Sequence, residues 1–261
     1  MGPTKGHGVI ETLGEVFDWF TTWDTWTNSI DPRTGVPEIG ILTRTWEHVL
    51  VSAVALGLAM LVALPLGAWL GHTGRGGLLA VSVVNIGRAI PSFGLIAIAL
   101  PITIRLARNV SWIDSGLGFL PTAVALWALA LPPIFTNTYT GIRSVDPEIV
   151  ESARGMGVTG PRVLWGVEMP LASPVIIAGL RTSAVQVVAT APLGALVAYG
   201  GLGRFIVDGL AVRDDVQIIG GAILVALLSI ATEVAFGALE RVVVPRPLQR
   251  RRRTRPAPAA T

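Results

Sequence analysis

Residues 49–74, 115–142 and 182–203 each run without a single Asp, Glu, Lys or Arg. Each is long enough to cross a hydrocarbon layer roughly 30 Å thick at about 1.5 Å of rise per helical residue. Together with two further apolar stretches they predict five helices, at about 48–71, 78–104, 118–140, 173–199 and 217–240. The second contains Arg88 and Pro91, and the fourth holds Pro174 and Arg181 near its start. Such interruptions are expected of kinked helices facing a bundle interior rather than lipid. The fifth is uncharged over 216–232 before Glu233. Ahead of the first span, Val9, Leu13, Val16, Phe17, Phe20 and Trp23 recur at helical spacing. Residues 1–43 therefore read as an amphipathic segment, with Trp19, Trp23 and Trp26 placed to lie in the outer interface. A cation-binding aromatic box is the sharper alternative for these rings, and the interfacial reading is preferred. Residues 31–40, DPRTGVPEIG, read as a loop before the first span.

Composition agrees with this pattern. Of 261 residues, 51% are hydrophobic and only 14% charged, where a soluble domain carries roughly a quarter charged. The mean hydropathy is +0.63. The fold class is an all-α integral membrane protein. There is no cysteine, so disulfides and thiolate metal sites are excluded, and His7, His48 and His72 form no ligand-spaced pair. Residues 1–20 show no apolar core behind basic residues, so no cleavable leader is expected. The pI near 10.1 does not signal nucleic acid. Seven arginines fall between Arg241 and Arg255 with no acid after Glu240, which is the pattern of a cytoplasmic flank. Residues 241–261 are expected to form a disordered basic tail behind a transmembrane domain of residues 44–240.

Orientation follows from arginine bias. With residues 141–172 and the tail inside, five spans put the N-terminus outside. Inner segments then hold Arg75, three arginines in 141–172 and the seven of the tail, eleven in all. Outer segments hold Lys5, Arg33, Arg44, Arg105, Arg108, Arg204 and Arg213, seven in all.

One charged segment interrupts the apolar pattern, ESARGMGVTGPRVLWGVEMP from Glu151 to Pro170. Asp146 is a good N-cap, Pro147 suits the first helical position, and Glu148 favours the positive helix end. A helix is predicted to run to about Met156, where Gly157 supplies the left-handed residue that ends it. Thr159 is placed to cap a second short helix with Val163, Leu164 and Val167 on one face, and Pro170 is expected to limit it. Ala153 and Gly157 are small enough to let another surface approach the backbone. An amphipathic loop helix resting on lipid headgroups is the plainer alternative.

Glu151, Ala153, Gly157, Val167, Met169 and Pro170 fit the pattern E-A-A, three residues, G, nine residues, I-x-L-P, with Ser152 in place of the first Ala. In this the sequence resembles the permease subunits of type I ATP-binding-cassette importers. The resemblance covers roughly residues 44–240. NIGRAIPS (Asn85–Ser92), TNTYTGIRSVD (Thr136–Asp146) and AYGGLGRF (Ala198–Phe205) look like the permeases for glycine betaine, choline and carnitine. The first and third also resemble methionine-importer permeases. The resemblance implies that Glu151, Ser152, Ala153, Gly157 and Pro170 belong to a cytoplasmic coupling helix between spans three and four. That helix would dock on a separate ATP-binding-cassette ATPase. It further implies a second permease subunit, identical or homologous, and an external substrate-binding protein. Asn85, Arg88, Pro91 and Ser92 become pathway candidates, although Arg88 also reads as a structural ion-pair partner for Glu233.

No cofactor is implied and no enzymatic activity is expected. A phosphate-binding loop needs a lysine after its glycines, and the only lysine, Lys5, is followed by Gly6. Gly200–Gly203 reads as a tight outer turn. Trp127 and Phe135 do not make an aromatic cage by spacing, and the passage is expected to bind its cargo weakly. An ion-coupled secondary transporter using Arg88, Arg181 and Glu233 is the rival from another class. The chain shows no convincing internal repeat of the kind such carriers often carry.

Overall fold

The computed structural model describes residues 9–30, 37–87, 89–110 and 116–244. The regular structure of the described chain is helical apart from a two-residue antiparallel pair, Ser29 opposite Glu38 and Ile30 opposite Pro37. Helix α1 spans Val9–Thr21, and α2 is one turn, Trp23–Trp26. Five helices among the described residues are long and apolar enough to cross a membrane. The first is α3, Ile41–Thr73, and it begins seven residues before the predicted start. Its N-terminus is held by Asn28, whose Oδ1 accepts from Gly40 N and Thr43 Oγ1, both at 3.0 Å.

The second predicted helix is not continuous. It divides into α4, Gly77–Gly87, and α5, Ser92–Asn109, and only α5 qualifies as a span. Pro91 provides the physical reason. It precedes α5 with φ −57° and ψ 142°, and a proline drives the residue before it out of helical geometry. Helix α6, Phe119–Arg143, is the third span and tolerates Pro132 and Pro133 in its interior. Helix α7, Pro147–Gly155, follows.

The fourth span also departs from expectation, since it starts at Gly160 rather than near 173. Helix α8, Gly160–Val163, passes through a π-helical turn, Leu164–Glu168, directly into α9, Met169–Thr190. Pro170 therefore does not stop the helix. The wider turn, in which Met169 N–H reaches Leu164 O, comes immediately before the proline. It relieves the clash that an α-turn would impose between the ring and the carbonyl four residues back. A 3₁₀ stretch, Ala191–Val197, completes the span. Helices α10, Gly203–Val212, and α11, Asp215–Val243, end the described chain, α11 being the fifth span. Of the predicted tail, residues 241–243 continue α11, and everything beyond Val244 lies outside the described residues.

The chain forms two compact units. One comprises the described residues of Met1–Ala55, Pro91–Leu126 and Val187–Ile230. Its core gathers Ile41, Leu202, Phe205 and Leu224, with Trp19, Phe20 and Trp26 packed on them. Trp19 meets Phe205 edge-on at 5.5 Å, and Trp26 donates its indole N–H to Phe20 O at 2.7 Å. Of the three tryptophans, Trp19 and Trp26 are half-buried against this core and Trp23 stands exposed.

The other unit comprises the described residues of Leu56–Ile90, Trp127–Gln186 and Ala231–Thr261. Close backbone approach sets its packing. A Cβ placed on Gly67 would come within 2.9 Å of Thr138, and one on Gly71 within 2.8 Å of Ile142. These two glycines, one turn apart on α3, let α6 lie directly against it, as small residues do between membrane helices. Gly179 does the same for α9 against Asn137 of α6. Ser183 Oγ donates across to Ala130 O at 2.8 Å.

Candidate functional site

The segment between α6 and α9 is built from its caps outward. Asp146 Oδ1 accepts from Glu148 N at 3.0 Å, and Pro147 occupies the first turn, as the sequence predicts. At the other end Gly157 adopts φ +83°. Val158 N–H reaches back to Ala153 O (3.2 Å) and Gly157 N–H to Arg154 O (2.9 Å). This pair of bonds is the closure a left-handed glycine gives a helix. Thr159 takes the N-cap position of α8, but its side chain makes no capping bond. Val163 is buried, Leu164 and Val167 are half-buried, and Trp165 is exposed, so the predicted apolar face forms.

Of the candidate coupling residues, Glu151, Ser152, Gly157 and Pro170 are exposed. Ala153 is buried at 5% exposure and packs within the chain. Nothing lies within 4 Å of a Cβ placed on Gly155 or Gly157, so the end of α7 is open to an approaching surface. Sequence reasoning missed two residues of that surface. Ile149 is 45% and Met156 78% exposed, and they bring apolar area to a helix otherwise singled out for its charges and small residues. Their seven-residue spacing was the available signal.

A buried polar contact seats this segment on the first span. His72 Nδ1, in the last turn of α3, lies 2.6 Å from Glu168 Oε2 in the π-helical turn, and both side chains are largely shielded. A second tie joins spans four and five, where Arg181 pairs with Glu233 and approaches Glu240 at 3.6 Å. Glu233, suggested as the partner of Arg88, is therefore engaged by Arg181.

Among the pathway candidates, Arg88 lies outside the described residues, as does the side chain of Asn85, which belongs to α4. Pro91 is exposed and Ser92 half-buried at the start of α5. In the unit that contains α4, a 250 Å³ cavity is lined by Gly87, Ala128, Leu129, Pro132, Pro133, Thr182 and Gln186. Phe135 and Tyr139 stack at 6.4 Å, but neither lines this cavity, and no aromatic cage surrounds it.

The Gly200–Gly203 turn is tight, as expected, and its clamp is Glu47. Glu47 Oε2 accepts from Gly201 N at 2.7 Å and from Arg44 at 3.1 Å, while Tyr199 Oη donates to Glu47 O at 2.6 Å. Burial, and then the nearby Glu47 carboxylate, push the Tyr199 phenol up to about 12. Among the described residues no group of three or more His, Asp or Glu is placed to hold a metal ion.

Residues 63–249 match the family described as "Binding-protein-dependent transport system inner membrane component". The chain belongs to this family. The permease is similar along most of its length to the choline transport system permease protein OpuBB of Bacillus subtilis (strain 168). They are 37% identical over 210 residues, which make up 80% of this chain and 91% of that protein. It is equally similar to the carnitine transport permease protein OpuCB of Listeria monocytogenes, at 37% over 212 residues, 81% of this chain and 92% of the other. In fold the permease matches a subunit of the MetNI methionine transporter in an inward-facing conformation. The TM-score is 0.69 at 22% identity, over 78% of this chain and 97% of the other. Five apolar helices and this family place the permease in a bacterial inner membrane. Membership also removes the ion-coupled carrier as an account of the chain.

Proposed function

We propose that this permease forms the translocation pathway of an ATP-driven importer for small quaternary-amine osmoprotectants, of the class of glycine betaine, choline and carnitine. The observation that carries the substrate class is its 37% identity, over four-fifths of its length, to permeases named for choline and carnitine transport. ATP hydrolysis belongs to separate ATPase subunits, a second permease copy or homologue completes the pathway, and an external binding protein delivers the cargo. The exposed end of α7, with Glu151, Ser152, Gly157 and the apolar Ile149 and Met156, is the surface offered to the ATPase. Ala153 supports that surface from beneath. Cytoplasmic sidedness of this segment agrees with the arginine bias.

Uptake of labelled glycine betaine, choline, carnitine and methionine into cells expressing the whole complex tests the proposal. Accumulation of quaternary amines that requires ATP is the expected result. Accumulation of methionine alone would replace the substrate class and leave the importer intact.

A further inference from the structure

Pro132 and Pro133 stand in tandem inside α6. Neither has an N–H, so the carbonyls of Ala128 and Leu129, four residues back, lack the donors an α-helix would give them. Both residues line the 250 Å³ cavity, together with Thr182 and Gln186 of α9. Thr182 and Gln186 lie one turn apart on an exposed face of that helix. The Thr182 hydroxyl donates to Ala178 O at 2.9 Å, which leaves its lone pairs free. The Gln186 amide has no hydrogen-bond partner among the described residues. It sits in a run without charge from 182 to 203. An amide is costly to hold in hydrocarbon without a partner, so this face meets water, a polar ligand or the second permease subunit rather than lipid.

We propose that this cavity is a substrate subsite within the membrane that receives the methylated ammonium head of the transported osmolyte. The inference rests on the osmoprotectant reading and names the residues that meet the cargo. The lining residues carry acceptors: the carbonyls of Ala128 and Leu129 freed by the prolines, the Gln186 amide and the Thr182 hydroxyl. These suit the polarised methyl C–H groups around a quaternary nitrogen, which offers no N–H to donate. The rings of Pro132 and Pro133 and the Leu129 side chain supply apolar contact for the methyls. No charged residue lines the cavity among the described residues. Among the described residues, dipoles alone meet the head, and they hold it weakly enough for release.

The test uses the complete transporter, with its ATPase subunits and binding protein, reconstituted in proteoliposomes supplied with labelled choline and glycine betaine. Gln186→Leu should lower kcat for uptake about tenfold, because the amide dipole that faces the cationic head is lost. ATP hydrolysis stimulated by the loaded binding protein should persist, and Gln186→Asn should retain most of the uptake. Gln186→Glu, which adds a carboxylate beside the head, should shift preference toward the cation choline over the zwitterion betaine. A change in that ratio is a readout that a merely structural role would not move. Gln186→Cys, in a chain without other cysteines, should react with a water-soluble thiosulfonate and be protected during turnover. Uptake and substrate ratio indifferent to both the Leu and the Glu replacement would overturn the subsite. So would loss of uptake in strict parallel with ATPase stimulation, or a Gln186→Cys variant that the thiosulfonate leaves unmodified. A wild-type complex that moves no quaternary amine would instead refute the osmoprotectant reading itself.

Discussion

At the scale of single residues, two glycines in this chain fail for different reasons when replaced. Gly157 sits at φ +83° with open space around its Cα, whereas a Cβ on Gly203 would fall 2.2 Å from Pro192 O. Gly157→Val therefore meets no clash and carries only backbone strain, about 1–2 kcal/mol for a left-handed non-glycine residue. The expected outcome is a permease that inserts and assembles but stimulates its ATPase poorly, with Gly157→Asn recovering much of the loss because Asn tolerates this conformation. Gly203→Val should instead lower the yield of folded protein, and expression with ATPase assays on purified complexes separates the two. Tyr199 offers a second test. Its phenol is pushed up to about 12 from an ordinary 10.0. A raised folded-state value means its contribution to stability is complete below pH 10 and is lost as pH rises toward 12. The difference in phenolate absorbance between wild type and Tyr199→Phe should therefore appear late, near pH 12 rather than 10. The same substitution removes the bond to Glu47 O and should cost about 0.5–1.5 kcal/mol. Gly157 was legible in the sequence because a left-handed helix end has a one-residue signature. Gln186 was not, since charges within the spans are the louder signal, although an amide in a charge-free run opposite a Pro-Pro pair was there to be read.

At the scale of elements, the contact of His72 with Glu168 joins the last turn of α3 to the π-helical turn that opens the fourth span. Removing one member of a shielded hydrogen-bonded pair strands the other, at about 1–3 kcal/mol, whereas replacing both by apolar groups is often nearly neutral. His72→Phe should consequently lower the thermal midpoint more than His72→Phe combined with Glu168→Leu, and a double-mutant cycle on purified protein measures the coupling. Equal and additive losses would show that the two side chains do not depend on each other. No sequence pattern announced this pair, which lies 96 residues apart along the chain. Hydrophobic runs revealed where the spans lie, because hydrocarbon demands about twenty apolar residues whatever their neighbours. Such runs say little about local departures from regular geometry. Pro91 was legible as an interruption but not as a full break between α4 and α5. Pro170 reads as a terminator yet does not act as one, because a π-turn lets a helix pass a proline at a cost that only its tertiary setting decides. Tandem prolines in α6 likewise depend on their tertiary setting.

For the whole molecule, five spans put the chain's two ends on opposite faces of the membrane, and arginine placement decides which is which. Moving a charged flank through hydrocarbon is expensive, so the face with more Lys and Arg stays on the side of synthesis. The eleven-to-seven excess is the ground for proposing that the α7 segment and the arginine tail face the cytoplasm. A docking surface for an ATPase has no use on any other side. The chain has no cysteine, so single replacements report sidedness without background. Thr159, exposed between α7 and α8, and Asp24, exposed in α2, fall on opposite sides under this topology. In intact cells a membrane-impermeant maleimide should label Asp24→Cys and should reach Thr159→Cys only after permeabilisation. Addition of the purified ATPase to inside-out vesicles should then slow labelling at Thr159, because the two surfaces compete for the end of α7. Labelling of Thr159→Cys from outside intact cells would invert the topology. Full labelling with no protection by the ATPase would leave the topology standing and remove α7 as the docking helix.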